Sequence, residues 1–289
     1  MRAMILAAGR GTRLLPYTTL RPKPLFPVLD RPVLFHACQA LAEAGASEII
    51  VNCYYLAEQI MAAVAPHPQI ITSAEDMELG TGGGLRQAAH LFGDEPLLLV
   101  NGDIFHTIDL AALWHQHQKG GAAATLVLHD CPRFNKVSVA SDDTIMAFTP
   151  QEDAQRTLAF TGIQVVDPGL LATIPPRTFF NMIDCYSQAI ARGEQIAAQV
   201  VSGHFWTDMG TPADYLDLHG QLLTDPRFAP NSPIFKGAGV RCDAADLHDW
   251  VSIGSGATIG KGARLSRVVV WDGAKVPSGA VLTDTIVTS

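Results

Sequence analysis

The chain has 289 residues, of which 48% are hydrophobic and 17% are charged, so it is long enough for two domains and too apolar to be disordered. Asp and Glu outnumber Lys and Arg by 28 to 20, and the net charge of −8 argues against nucleic acid or an anionic membrane as the main partner. No apolar run approaches the roughly 18 residues of a membrane span, and the N-terminal run is too short for a secretory signal. The five cysteines lie far apart without zinc spacing, which predicts reduced thiols in a cytoplasmic protein.

Strand-like and helix-like segments alternate over the first two-thirds of the chain. The strand-like segments include Met4 to Ala8, Glu48 to Val51 and Pro96 to Val100, and helical spacing of apolar residues recurs at 33–44, 56–64, 109–119, 179–191 and 212–223. Residues 122–166 contain several short β-rich runs, which predict hairpins or an excursion from the main sheet. The alternation predicts an α/β fold with a Rossmann-like, mostly parallel sheet and helices on both faces.

The sequence changes character after Pro226. Residues 226–233 contain three prolines, which predict a linker. From Ile253 an aliphatic residue recurs every six positions, at 259 and 265, and the series continues at 270, 276 and 282 after one five-residue step. A six-residue period is typical of hexapeptide-repeat β-helices. We therefore expect a first domain at 1–225, a linker at 226–233 and a short β-helix at 234–289 that serves assembly or packing.

A basic segment opens this acidic chain. Residues 1–29 hold no acid and five basic side chains: Arg2, Arg10, Arg13, Arg21 and Lys23. Gly9 and Gly11 allow a turn whose backbone N–H groups point outward. Arg13 adds a planar guanidinium fork and Lys23 adds a point charge. All of these groups suit a small anion. Composition alone leaves a solvated basic loop as an equal alternative. A dinucleotide fingerprint is excluded because Leu14 takes the place of its third glycine, and the chain has no Gly-Lys-Ser/Thr of a P-loop.

Two motifs stand close together in the N-terminal segment: Gly-x-Gly-x-Arg-Leu-x-Pro at 9–16 and, five residues later, Pro-Lys-Pro at 22–24. Together they resemble the signature of the sugar-1-phosphate nucleotidyltransferases. These enzymes join a nucleoside triphosphate to a sugar 1-phosphate and release pyrophosphate. The resemblance implies that Arg13 and Lys23 are catalytic. Arg13 would stabilise the negative charge of the transition state, and Lys23 would contact the phosphate at the reacting centre. It also implies a set of residues that bind the nucleotide, with the triphosphate cradled at 9–12: Leu6, Ala8, Gly9, Gly11, Thr12 and Arg13.

The resemblance continues along the chain in the family's order. Leu79 to Gly84 is similar to the family's Gly-Thr-Gly turn, so Gly80, Gly82 and Gly83 are expected to bring backbone against the base. Asp103 follows a buried strand, and Asp208 stands in Trp-Thr-Asp-Met-Gly-Thr-Pro at 206–212. The resemblance makes these two carboxylates the ligands of Mg²⁺, and hard oxygen ligands are those that Mg²⁺ prefers.

One expected motif is missing. Family members commonly carry Glu-Lys-Pro after the β-rich excursion, with the lysine near the sugar phosphate, whereas this chain has Phe-Thr-Pro at 148–150. Lys136 is the nearest basic residue, and it is either a substitute for that lysine or an ordinary strand lysine. Gly162 matches the family's glycine beside the sugar.

Glu75 stands five residues before Gly80, where several uridylyl and thymidylyl relatives carry glutamine. A carboxylate only accepts hydrogen bonds, which suits the two adjacent donors of guanine better than the acceptor carbonyls of uracil. Glu75 therefore favours guanine, unless backbone at Gly82 and Gly83 reads the base and Glu75 points to solvent.

The resemblance implies a nucleotidyltransferase, with GTP and mannose 1-phosphate as the favoured substrates. UTP with N-acetylmuramate 1-phosphate or another hexose 1-phosphate is the alternative. Enzymes for N-acetylmuramate also tend to carry the Thr-Gly-Gly-Gly turn and to lack Glu-Lys-Pro, as this chain does, but they usually lack a β-helix. A catalytically silent nucleotide-sugar-binding regulator is the alternative from another class, and the presence of Arg13, Lys23, Asp103 and Asp208 argues against it. A hexapeptide acyltransferase is disfavoured because only His248 lies near the few predicted coils. We expect a cytoplasmic homo-oligomer, assembled through a β-helix that is left-handed in the family.

Overall fold

The computed structural model describes residues 1–228 and 232–288. The predicted linker at 226–233 is therefore only partly described, because residues 229–231 lie outside the described residues, as does residue 289. Within the described part of the chain, no helix is both long and apolar enough to cross a membrane.

Strands and helices alternate as the sequence predicts for the first two-thirds of the chain. The strands among the described residues are β1 (Arg2–Leu6), β2 (Pro27–Val28), β3 (Arg31–Pro32), β4 (Glu48–Cys53), β5 (Ile70–Ala74), β6 (Leu97–Asn101), β7 (Ile104–His106), β8 (Ala124–His129), β9 (Val137–Val139), β10 (Ile145–Ala147), β11 (Arg156–Val166), β12 (Ile196–Val200), β13 (Trp206–Asp208), β14 (Ile234–Lys236), β15 (Arg241–Cys242), β16 (Asp246–Ile253), β17 (Thr258–Ile259), β18 (Arg264–Val270), β19 (Lys275–Val276) and β20 (Val281–Val287). The α-helices are α1 (Val33–Glu43), α2 (Ala57–Val64), α3 (Gly80–Ala88), α4 (Leu110–Gly120), α5 (Pro168–Ala172), α6 (Met182–Ala191) and α7 (Pro212–Thr224).

The chain divides into two compact units. The first consists of Met1–Arg10 with His36–Trp206, and the second of Gly11–Phe35 with Thr207–Ser289. The second unit thus combines most of the basic N-terminal loop with α7 and the C-terminal strands. The domains predicted from the sequence, at 1–225 and 234–289, have different limits from these two units and stay a prediction.

The first unit is built on a mixed nine-stranded sheet. Its parallel centre runs β5-β4-β1-β6, and β11 pairs antiparallel with the outer side of β6. Both faces of β6 are covered, since the side chains from Leu97 to Val100 are all at most 1% exposed, as expected of a central parallel strand. The predicted α/β class with a parallel central sheet is confirmed. The predicted excursion at 122–166 contains β8, β9, β10 and all of β11, whose pairings with one another are antiparallel.

The C-terminal strands of the second unit form two parallel sheets, in the orders β14-β16-β18-β20 and β15-β17-β19. Ile234 pairs with Val251, and Val251 with Val268, so equivalent residues recur after 17 positions. The first five aliphatic residues of the six-residue series are at most 3% exposed: Ile253, Ile259, Leu265, Val270 and Val276. The period in the sequence therefore reflects side chains that pack in the core of this segment.

Candidate active site

The carboxyl ends of β1 and β6 meet at one edge of the first unit. Leu6 lies in register with the last residue of β6, and its carbonyl accepts a hydrogen bond of 2.9 Å from Gly102 N. Asp103 follows in the turn after β6 and is half-buried, while Ala8 and the exposed Gly9 follow β1. An open α/β sheet binds its ligands at this edge, so these predicted residues lie where the topology expects a ligand.

The rest of the basic loop belongs to the second unit. Gly11 has φ +60°, a conformation that favours glycine. A Cβ at this position would lie 2.9 Å from Thr18 Cγ2 and 3.5 Å from Lys23 Cβ, so the glycine allows the loop to fold back on itself. Thr12 and Arg13 lie in a short 3-10 helix and are exposed, whereas Lys23 is only 6% exposed. The structure thus brings Gly11 and Lys23 together and leaves Arg13 accessible.

Arg13 faces Asp208 within the second unit. Arg13 Nη2 lies 3.9 Å from Asp208 Oδ2, beyond hydrogen-bond range, and their side chains are 62% and 19% exposed. A Cβ on Gly210 would lie 2.8 Å from Asp208 Oδ2 and 2.9 Å from Arg13 Nη1, so only glycine leaves room for both groups. Gly210 is not among the predicted site residues, although its Asp-x-Gly spacing from Asp208 is visible in the sequence. An exposed guanidinium beside a carboxylate offers a cation for phosphate oxygens and a hard oxygen ligand for a metal.

Glu75 lies in the first unit and is only 8% exposed, so it does not point to solvent. Its Oε1 accepts a hydrogen bond of 2.6 Å from Asn52 Nδ2, and its Oε2 accepts one of 3.3 Å from Leu79 N. Asn52 Oδ1 in turn accepts a hydrogen bond of 2.8 Å from Ala7 N. Burial raises the pKa of the Glu75 carboxyl. The carboxylate therefore links the end of β1 to the start of α3, a connection that no local sequence signal indicates, and base recognition by Glu75 stays a prediction.

We expect Glu75→Gln to lower kcat/KM for GTP and UTP by a similar factor, about tenfold, because one buried hydrogen bond is lost. Glutamine keeps the size of the side chain but turns one acceptor into a donor, which then faces the donating amide of Leu79 or of Asn52. The measurement is kcat/KM for both nucleotides, with the exposed Glu58→Gln of α2 as the control. A ratio that moves toward UTP would instead show that Glu75 reads the base.

The glycines of the predicted Gly-Thr-Gly turn form the first turn of α3 rather than a loop. Gly82 N and Gly83 N donate to Phe180 O at 2.8 and 3.2 Å, and a Cβ on Gly83 would lie 2.5 Å from Thr178 O. The same backbone contact explains why α6 begins at Met182 rather than near residue 179. Both glycine amides already have a partner within the chain, so the close approach of backbone accounts for the glycines. Their contact with a nucleotide, and that of Gly80, stays a prediction.

Gly162 lies in β11 at the end of β6. Its φ is +81°, and a Cβ there would lie 2.6 Å from Asn101 Nδ2. The carbonyl of the preceding Thr161 accepts a hydrogen bond of 2.8 Å from Trp206 Nε1, so an indole lies beside this glycine segment. Trp206 is not among the residues predicted for the site. Lys136, the other candidate for the sugar phosphate, is exposed just before β9.

The ligand chemistry of Asp103 and Asp208 fits Mg²⁺. Among residues 1–228 and 232–288, no three His, Cys, Asp or Glu side chains form a metal-binding cluster. Mg²⁺ is commonly held by one or two carboxylates together with substrate phosphates and water, so a third protein ligand is not required. Asp208 is partly accessible and lies beside a cation that can bind the same phosphates.

Comparison with known proteins identifies the family. Residues 2–225 match the family model described as nucleotidyl transferase. A mannose-1-phosphate guanylyltransferase from Mycobacterium tuberculosis is 30% identical over 97% of this chain and 82% of its own length. A UTP–glucose-1-phosphate uridylyltransferase from Synechocystis is 28% identical over 99% of this chain and 87% of its own. The crystal structure of HddC from Yersinia pseudotuberculosis is similar with a TM-score of 0.65 at 20% identity, covering 75% of this chain and 97% of that one.

The family model covers most of the chain, and the relatives extend through the C-terminal strands. The chain therefore belongs to the nucleotidyl transferase family. The enzyme class predicted from its sequence, a sugar-1-phosphate nucleotidyltransferase, is confirmed.

Proposed function

We propose that the protein transfers the guanosine monophosphate unit of GTP to mannose 1-phosphate and releases pyrophosphate. The observation that carries this substrate assignment is the match over 97% of the chain to a mannose-1-phosphate guanylyltransferase. The match includes the C-terminal strands, which enzymes for N-acetylmuramate 1-phosphate usually lack. The arrangement of Arg13, Asp208 and Gly210 supports the reaction class.

The reaction needs positive charge more than it needs acid–base groups. An oxygen of the sugar phosphate forms a bond to the α-phosphorus, and the bond from that phosphorus to pyrophosphate breaks, with its electron pair leaving on pyrophosphate. The attacking oxygen is already anionic near neutral pH, so no general base is required. We assign the exposed Arg13 and the amides at 9–12 to the departing pyrophosphate, and Lys23 to the phosphate at the reacting centre.

Asp103 and Asp208 would hold Mg²⁺, which when bound neutralises charge on the α-phosphate. Arg13 lies 3.9 Å from Asp208 and is not hydrogen-bonded to it, so its guanidinium fork is available to phosphate oxygens. Gly162 and Lys136 are assigned to the sugar-phosphate side, and Glu75 with Gly80, Gly82 and Gly83 to the nucleotide side.

A nucleotide other than GTP is the second candidate, because a similar relative is named a UTP–glucose-1-phosphate uridylyltransferase. The test is a panel of GTP, UTP, ATP and dTTP against mannose, glucose and N-acetylmuramate 1-phosphates, scored by pyrophosphate release. We expect the highest kcat/KM for GTP with mannose 1-phosphate. A higher value for UTP would reject the guanylyl assignment, and no pyrophosphate with any pair would favour a nucleotide-sugar-binding regulator.

We further propose that 234–288 forms a short left-handed β-helix, because its strands alternate between two parallel sheets with a spacing of 17 residues. Val281 in the edge strand β20 is 71% exposed, which favours a homo-oligomer that covers this edge. The mass of the intact chain in solution, measured by light scattering, tests the assembly. A cytoplasmic location belongs to the same proposal and agrees with the free thiols of all five cysteines.

A further inference from the structure

The C-terminal repeat contacts residues 11–30, here called the N-terminal loop, through a fork-shaped ion pair within the second unit. Arg21 Nη1 and Nη2 donate to Asp272 Oδ1 and Oδ2 at 2.7 and 3.1 Å. Asp272 lies in the turn after β18, 251 residues away along the chain. The Arg21 side chain is 23% exposed and that of Asp272 is 48% exposed, so the pair is partly shielded from solvent, and its two parallel hydrogen bonds fix the position of Arg21.

Trp271 extends the same contact into the core of the unit. The guanidinium carbon of Arg21 lies 4.7 Å from the centroid of the indole, and the ring of Phe26 packs edge-on at 4.8 Å. Trp271 is 1% exposed, and its Nε1 donates to Tyr215 Oη at 3.2 Å. Tyr215 Oη in turn donates to Pro27 O. The loop is therefore held on both sides of Lys23, by the charge of Arg21 before it and by the packing of Phe26 after it.

A second carboxylate contact lies one repeat earlier. Asp30 of the loop accepts hydrogen bonds from Ser255 N and Ser255 Oγ at 3.0 and 2.7 Å. Ser255 lies in the turn after β16 and Asp272 in the turn after β18, and Gly273 N donates to Ser255 O at 2.9 Å. Two stacked turns of the repeat thus contact the loop at Arg21 and at Asp30.

Between Gly11 and Arg21 the loop forms two 3-10 helices, Thr12–Leu14 and Tyr17–Thr19, in which Leu14 and Thr18 are fully buried. Thr18 Oγ1 donates to Gly11 O at 3.3 Å, and a Cβ on Gly11 would lie 2.9 Å from Thr18 Cγ2 and 3.5 Å from Lys23 Cβ, so Gly11 packs against both residues. Because Lys23 lies two residues from Arg21, a shift at the ion pair would move the ammonium group and, through Gly11, the 3-10 helix that carries Arg13.

We propose that the two stacked turns hold the N-terminal loop in its reactive position, with Arg21 and Asp272 as positioning residues for Arg13 and Lys23. The C-terminal repeat then contributes to the rate of the reaction as well as to stability or assembly. This inference rests on the proposed function, since it assigns Arg13 and Lys23 to the reacting phosphates. Misplacement by about 1 Å can cost up to about 10²-fold in rate, so an indirect contact of this kind has a measurable effect.

The test compares Asp272→Asn with Asp284→Asn. The control also changes a carboxylate that accepts two hydrogen bonds from one arginine, because Arg267 Nε and Nη2 donate to Asp284 Oδ1 and Oδ2 at 2.6 and 2.7 Å, between β18 and β20. Four quantities are measured for both variants and for the wild type: kcat, KM, the thermal midpoint and the amide hydrogen exchange of residues 11–27. Arg21→Gln and the double variant with Asp272→Asn complete the cycle.

We expect Asp272→Asn to lower kcat about tenfold with KM changed less than about threefold, as for loss of positioning at the reacting groups. Exchange at 11–27 should rise in this variant and not in the control, and Arg21→Gln should add little to Asp272→Asn. Equal kcat in Asp272→Asn and Asp284→Asn, with or without faster exchange, would overturn the proposal. A wild type that is inactive with every substrate pair would refute the proposed function instead, and the exchange data would then decide whether the turns anchor the loop.

Discussion

Asp208→Ala should lower the rate of pyrophosphate release by at least about 10²-fold, and Asp103→Ala by a similar factor, as is usual when one electrostatic contact to a transition state is removed. Each change removes a hard oxygen ligand that we assign to Mg²⁺. Asp208→Ala also leaves Arg13, whose Nη2 lies 3.9 Å from the carboxylate, without its acidic neighbour. A guanidinium then remains for the phosphates, so substrate binding should suffer less than turnover.

The measurement is kcat over a range of Mg²⁺ concentrations, with the exposed Asp217→Asn of α7 as a matched control. For a metal ligand we expect the Mg²⁺ concentration at half-maximal rate to rise in Asp208→Asn and Asp103→Asn, where the shape of the side chain is kept. Wild-type turnover at limiting Mg²⁺ in either alanine variant would remove that residue from the metal site.

Local sequence patterns indicate five of the seven α-helices among the described residues, but not α3 or α5. The buried run at 96–100 became β6, with the polar residues of the candidate site at its carboxyl end, because a central parallel strand is apolar on both faces. The six-residue series became the buried side chains of the C-terminal strands, because each repeat places the same position inward. The first signal is a continuous apolar run and the second is a period, and each is read from one continuous segment of the chain.

Contacts between distant residues left no such signal. Arg21 was one of five basic residues in a loop, and nothing nearby indicates that its partner is Asp272. The distance of Glu75 from a glycine motif predicts base recognition, whereas its carboxylate is hydrogen-bonded to Asn52 on a neighbouring strand. The glycines at 80–84 were recognised by family resemblance, but the residue that explains two of them, Phe180, lies about 100 positions further on.

Lys23→Met should lower turnover by at least about 10²-fold while leaving the protein folded, because the ammonium charge is lost and the apolar stem is kept. Lys23 is 6% exposed, and its β- and δ-carbons lie against Gly11, so methionine retains the packing of the loop. Arg13→Lys keeps the charge on an exposed side chain but loses the planar fork, so we expect a smaller loss of turnover.

Activity and stability should separate in these variants. Methionine keeps the apolar stem of Lys23 in its packing, so the thermal midpoint of Lys23→Met should stay close to that of the wild type. Lys275→Met in β19 removes an exposed lysine from the second unit and serves as the control for net charge. If Lys23→Met and Lys275→Met turn over equally fast, Lys23 does not contact the reacting phosphate. If the midpoint of Lys23→Met falls together with its activity, the ammonium group stabilises the loop rather than the transition state.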